Sequence, residues 1–362
     1  MGHLRGKVTT AVVVGILAAT VACQQPATKR PTRSPPTTTV SVDSTCGIED
    51  KLVPTCGAWW GVAANPFDGE SWHEALTDYE RQIDRTVNIA HFYHRAGDLF
   101  PTSQEVALAD EPGKERLLLI NYKPQAGHSW AEVARGATND ELDRLAAHIK
   151  RTFDRPFFFV VHHEPENDVD PRPGSGYTAA DYRAMYRHVV TRLESRGASK
   201  LVRVMNYIGL PAWGVQPWYP DLYPGDDVVD WIAYDPYVFG TGQYWGGVED
   251  LIDRRFDKHR PNDRYWATHP EWPGFYTWAT RFAPEKSLML AEWGIAEKPG
   301  SPRAKAEFFT KLGHEAAHWP RVKAFVYWNS PSDRTVGETR IDSSTAALRA
   351  YRDIGLRGHF NP

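Results

Sequence analysis

Apolar residues along this chain arrive in short strand-like runs, and between the runs the spacing changes to the three-and-four rhythm of a helix with one buried face. The strand-like runs are Gly57 to Val62, Val87 to Tyr93, Arg116 to Tyr122, Phe157 to His162, Leu201 to Tyr207, Val229 to Tyr234, Leu288 to Glu292 and Lys323 to Trp328. Helical rhythm appears over residues 139 to 153, where Leu142, Leu145, Ala146, Ile149 and Phe153 share a face. It returns after Thr178, which forms a capping box with Asp181; Tyr182, Met185, Tyr186, Val189, Val190 and Leu193 then repeat until Gly197 stops the helix. Ser301 and Pro302 open another helix, carrying Phe308, Phe309 and Leu312.

Strands that alternate with helices predict parallel α/β construction, and eight strands are what a closed (β/α)8 TIM barrel needs. The 362 residues accommodate a barrel of roughly 250 residues with insertions. No internal repeat and no polar mid-chain linker divides the body, so a single catalytic domain is expected over residues 46–362.

The amino-terminal stretch reads differently. His3, Arg5 and Lys7 precede an apolar run from Val8 to Ala22 that closes on Cys23, the pattern of a signal peptide over residues 1–22. The ending "TVAC" resembles a bacterial lipobox, which makes Cys23 a lipidated residue. Residues 23–45, rich in Pro and Thr, read as an extended tether. The expected location is the extracellular face of a bacterial membrane, through a lipid anchor at Cys23 or by secretion. Of three cysteines, that leaves Cys46 and Cys56 to form a disulfide in an oxidising compartment.

A formal net charge of -3, without blocks of like charge, suggests neither nucleic acid nor an anionic membrane surface as a partner. Aromatic content changes the picture more. Fourteen tryptophans exceed what a core needs, and Trp59, Trp60, Trp130, Trp213, Trp218, Trp245 and Trp272 sit beside loop-forming residues. Indoles displayed on loops suit the flat apolar faces of sugars. The expected partner is a polysaccharide, met by a monomeric chain.

In a barrel, the loops after the strands build the active face. "FFFVVHHEPEN" delivers His162, His163 and Glu164 there; "DWIAYDPY" delivers Asp235 and Tyr237; "LMLAEWG" delivers Glu292; "FVYWN" delivers Trp328. Glutamates leaving strands four and seven face one another across the mouth. Glycoside hydrolysis requires that arrangement, with one carboxyl protonating the leaving oxygen and the other, ionised, acting on the anomeric carbon. A hydrogen bond from Tyr237 would hold Glu292 as its carboxylate, and an aromatic setting would raise Glu164. A lone strand-end glutamate is more often a helix cap or ion-pair member; the joint placement is what argues for chemistry.

His162 and His163 invite a metal reading. Adjacent strand residues point to opposite faces, and no H-E-x-x-H spacing is present, so neither a metal nor a cofactor is expected. One imidazole would orient a carboxyl or bind a sugar hydroxyl while the other packs. Glu166, Asp168 and Glu271 are rival carboxylates deeper in loops, and no G-x-S-x-G elbow supports a serine hydrolase.

Together "HHEPEN", "DWIAYDPY" and "LMLAEWG", followed by a helix containing "KAEFF", resemble glycoside hydrolase family 26 over roughly residues 50 to 355. The resemblance implies a retaining barrel enzyme acting mostly on β-mannans, with some members on mixed-linkage β-glucan or β-1,3-xylan. It implies Glu164 as acid/base, Glu292 as nucleophile, His163 as the polar residue before the acid/base, Tyr237 as the hydroxyl beside the nucleophile and Trp328 as a sugar platform. Asp235, Trp218 and Trp293 complete the expected substrate-binding set. Pro165, Glu166 and Asn167 depart from the Asn-Gly pair that many family mannanases carry after the acid/base. The leading expectation is an endo-β-1,4-mannanase. Alternatives are the same machinery on a β-1,3/1,4-glucan, a xylan or an envelope polysaccharide, or a lipoprotein that binds glycan without cutting it.

Overall fold

The computed structural model describes residues 46–67, 69–238, 246–255, 271–331 and 337–362. The expected signal peptide, Cys23, the tether and Trp245 lie outside the described residues.

Eight strands carry the domain: β1 (Trp59–Ala64), β2 (Ile89–Arg95), β3 (Leu117–Lys123), β4 (Phe157–Val161), β5 (Leu201–Tyr207), β6 (Trp231–Tyr234), β7 (Ser287–Ile295) and β8 (Val322–Asn329). Each pairs in parallel with the next, and β8 returns to β1, so the sheet closes into the predicted (β/α)8 barrel. The strand-like runs of the sequence all become barrel strands, with ends displaced by up to three residues, as at Arg95, Lys123 and Ile295.

Alternation along the strands separates two apolar layers. Trp59, Ile89, Leu119, Phe158, Val160, Val202, Val204, Trp231, Met289 and Val326 fill the barrel interior. The intervening residues, such as Trp60, Phe159, Val161, Leu290 and Tyr327, face the surrounding helices. Asn139–Thr152 and Ala179–Ser195 are helical as their spacing predicts, the second with the Thr178–Asp181 capping box in place. The third predicted helix begins at Ala304, with Arg303 at the N-cap position, so Ser301 and Pro302 form the turn before it.

Below the barrel floor, the segment Ile48–Pro54 folds into a short antiparallel ribbon whose Lys51 and Leu52 carbonyls accept hydrogen bonds from the indoles of Trp231 and Trp59. Cys46 and Cys56 are bonded to each other and close this ribbon, as the cysteine count suggested.

Candidate active site

Above the apolar filling, the inward positions turn polar. His91, Asn121, Asn206 and Asp235 form a buried layer, and Tyr93, Trp328, Glu164 and Glu292 stand above it around a cavity of about 750 Å³. The change follows from counting by twos up β2, β3, β5 and β8, whose inward residues run from apolar to polar without interruption.

Two strands break that count, and both breaks are needed. In β4, Phe158 and Val160 point inward, so strict alternation would send His162 into the barrel and His163 outward. His162 instead adopts a left-handed backbone, with φ of 52°, and so does Glu164, with φ of 51°. These turns reverse the phase. His162 is buried outside the barrel against Trp130 and Tyr182, whereas His163 and Glu164 line the cavity. Non-glycine residues in this region carry strain of about 1–3 kcal/mol that surrounding bonds must hold. Here the Glu164 N–H donates to the Asn206 carbonyl at 3.0 Å and the His162 N–H to Tyr122 at 2.9 Å.

In β7, Met289 and Ala291 face inward, and the pairing with β8 shifts register between Leu290 and Trp293. An extra residue in one strand lets two successive side chains share a face. Glu292 thereby joins Ala291 on the inner side, and Trp293 is turned out. Trp293 is fully buried among Trp60, Phe309, Tyr327 and Tyr351, so the expectation that it binds substrate is corrected: it is a core residue between barrel and helices. Glu292 and Trp293 could not both reach the mouth once the register shift had assigned it to Glu292.

Glu292 is held on three sides. Tyr93 Oη donates to its Oε1 and Tyr237 Oη to its Oε2, each at 2.7 Å, and its N–H donates to Asp235 Oδ1 at 3.0 Å. Asp235 Oδ2 accepts from Asn206 Nδ2 at 2.6 Å. Burial and then the charge of Glu292 raise both phenols well above their usual range, so each remains a donor. Glu164 accepts from Asn167 Nδ2 at 3.1 Å. Carboxylate oxygens of Glu164, Asp235 and Glu292 lie within 4.8 Å of one another. Burial, followed by the charges of Glu292 and Glu164, pushes Asp235 well above the carboxylate range. Among the described residues these three are the one group spaced to hold a cation, but the bonds from Tyr93, Tyr237, Asn206 and the Glu292 amide already occupy oxygens of Glu292 and Asp235.

The remaining expected residues divide. Trp328 lines the cavity, edge-on to Tyr93 with ring centroids 5.6 Å apart. Trp218 does not line it; its ring lies 6.0 Å behind that of Trp213, which does. Trp59, Trp60, Trp130 and Trp272 are buried packing residues rather than displayed platforms. His163 reaches the cavity beside Tyr93, and burial holds its imidazole well below its ordinary pKa, hence neutral. Glu166 is fully buried, accepting from the Ile208 and Gly209 amides, and burial pushes it up to about 7. Asp168 sits 3.2 Å from His162 Nε2, and Glu271 is exposed and away from the cavity. Tyr93, Asn206 and Lys123 were not anticipated. The inward count from Ile89 and from Leu119 would have found Tyr93 and Lys123.

No family model matches the chain. It is 25% identical over 312 residues to Endoglucanase H of Acetivibrio thermocellus, covering 84% of this chain and 31% of that protein. It is 26% identical over 133 residues to a β-1,3-xylanase of a Vibrio species, covering 36% of this chain and 26% of that one. The chain thus spans under a third of the length of these curated relatives. Among solved structures, a ruminal GH26 endo-β-1,4-mannanase superposes with a TM-score of 0.53 at 14% identity, over 84% of this chain and 64% of that one. The sequence relatives and structural neighbours are glycoside hydrolases, and the fold is the one their family 26 members have.

Proposed function

We propose that this chain is a retaining, endo-acting β-glycoside hydrolase of the family 26 kind, with Glu292 as nucleophile and Glu164 as acid/base. The observation that carries it is the approach of Glu164 and Glu292 to within 4.8 Å inside an open cavity. A separation near 5 Å leaves no room for a water between carboxylate and sugar, so the carboxylate itself attacks. In the first step Glu292 Oε bonds to the anomeric carbon as the glycosidic bond breaks, and Glu164 gives its proton to the departing oxygen. In the second, Glu164 takes a proton from water, whose oxygen displaces Glu292 and restores the original configuration.

The surroundings support this division of labour. Glu292 receives two phenolic donors, which stabilise its charged form. The three clustered carboxyls cannot all ionise cheaply, so the site retains a proton where isolated carboxyls would have none. Trp328 offers an aromatic wall for the sugar.

The polymer proposed first is β-1,4-mannan, with β-glucan and β-1,3-xylan as the substrates suggested by the relatives' names. Purified protein would be incubated with each soluble polymer and the products sized. Internal cleavage should give a falling ladder of oligosaccharides; absence of new reducing ends on these neutral polymers and on their anionic derivatives alike discards the reading. The proposal also sets the domain outside the cell, tethered through Cys23. Labelling with a radioactive fatty acid should be lost in Cys23→Ser, and equal labelling of the two chains would refute the tether.

A further inference from the structure

Arg95 and Lys123 are register partners at the mouth ends of β2 and β3, and both line the cavity. The Arg95 backbone N–H donates to Asp98 Oδ2 at 2.8 Å, yet among the described residues no carboxylate lies within ion-pair distance of its guanidinium. Among the described residues the acid within ion-pair distance of Lys123 is Asp168, 4.0 Å away, and Asp168 is already 3.2 Å from His162 Nε2. Beneath the two cations, the buried Asn121 side chain lines the cavity floor beside His91, with which it interacts. This side of the cavity therefore offers a guanidinium and an ammonium above a buried amide, facing the carboxyls of β6 and β7.

Amides, phenols and indoles suffice for the hydroxyls of a neutral glycan. A guanidinium beside an ammonium is instead the arrangement that grips an oxyanion, the first through paired N–H donors and the second as a point charge. The chain's overall charge of -3 gives polyanions no general attraction, so the preference has to arise locally.

We propose that the cavity takes a glycan whose main chain carries an oxyanion, bound against Arg95 and Lys123. The group is a carboxylate, sulfate ester or phosphodiester on a sugar near the cleaved bond. This rests on reading the cavity as a glycan-cleaving site and specifies the substrate class of that site.

One batch of soluble neutral glucomannan, converted in part to C6-carboxylated, sulfated and phosphorylated forms, supplies matched probes. Native-gel retardation by each polymer and release of reducing ends are measured for wild type, for Arg95→Gln/Lys123→Gln, and for Arg303→Gln/Lys311→Gln. The last pair removes the same charge from an exposed helix surface away from the cavity. At least one anionic form should be favoured over the neutral polymer by about tenfold or more, as expected for one charge-assisted contact. That ratio should fall towards one in the Arg95/Lys123 variant, persist in the surface variant, and shrink as salt is raised. Whichever derivative shows the largest ratio identifies the oxyanion. Equal handling of neutral and anionic polymers by wild type overturns the proposal while leaving the hydrolase reading intact. Equal loss of preference in both variants overturns it too. Selective retardation without cleavage upholds it and sinks the hydrolase reading instead.

Discussion

Tyr237 Oη lies 2.7 Å from Glu292 Oε2, and the phenol, kept protonated by its burial, is the donor. Tyr93 makes the same bond to the other oxygen. Each is a hydrogen bond to an ionised group, worth about 1.5–3 kcal/mol. Tyr237→Phe and Tyr93→Phe should each lower kcat by about ten- to a hundredfold, with circular dichroism unchanged. A variant within about twofold of wild type would show that the bond does not act on the reaction.

Removing the carboxylates should separate their roles. Glu292→Ala and Glu164→Ala are each expected to lose about a thousandfold or more in kcat. Azide then distinguishes them on an activated aryl β-glycoside. In Glu292→Ala it fits the vacated space and yields the α-glycosyl azide; in Glu164→Ala it intercepts the glycosyl-enzyme and yields the β-anomer. Proton NMR of the products reads the outcome, and the reverse assignment of anomers would exchange the two roles.

Asp235 is a third carboxyl beside the pair, and burial followed by its mutual repulsion with Glu292 and Glu164 pushes it well above the carboxylate range. Asp235→Asn removes that repulsion, so both working carboxyls should ionise more readily. The bell-shaped pH profile of kcat/KM should move to lower pH on both limbs. An unmoved profile in a folded variant would mean that Asp235 carries no charge during turnover.

Glu166 makes a stability prediction with a definite sign. Burial raises it from 4.5 in an unfolded chain to about 7. Between those values the folded state keeps a proton the unfolded state has lost, so stability falls as pH rises from 4.5 towards 7, by at most about 3 kcal/mol. Glu166→Gln, still able to accept from the Ile208 and Gly209 amides, should remove that slope from Tm measured against pH. An identical slope in the variant would place the titration elsewhere.

Trp293 and Trp328 should respond oppositely to alanine. Trp293→Ala opens a cavity in the packed layer and should cost about 3–5 kcal/mol of stability. Trp328→Ala should leave Tm nearly unchanged and raise KM. Thermal melts and initial rates on both proteins check the contrast.

The barrel was legible because its signal is periodic: eight apolar runs separated by amphipathic helices need only hydrophobicity to be seen. Glu164, Glu292, Tyr237 and Trp328 were legible because they end or follow those runs. What periodicity could not convey was the phase at the mouth. The left-handed His162 and Glu164, and the register shift before Trp293, each override the alternation that the preceding residues establish. Trp293 was misassigned for that reason. Trp218 was misassigned for another: side-chain identity says nothing about which of two neighbouring indoles, Trp213 or Trp218, stands in front. Arg95 and Lys123 went unnoticed because each closes an apolar run, where a charged residue reads as an ordinary solvent boundary.

The two left-handed residues in "HHE" have a consequence for how this segment can be varied. Because Glu164 reaches the rim through a reversal of phase at a fixed count of residues, its position should tolerate changes of identity far better than changes of length. A combinatorial library that scrambles residues 165–168 can keep Glu164 aimed inward. One that inserts or deletes a single residue between Val161 and Glu164 is expected to turn that carboxyl towards the helix side.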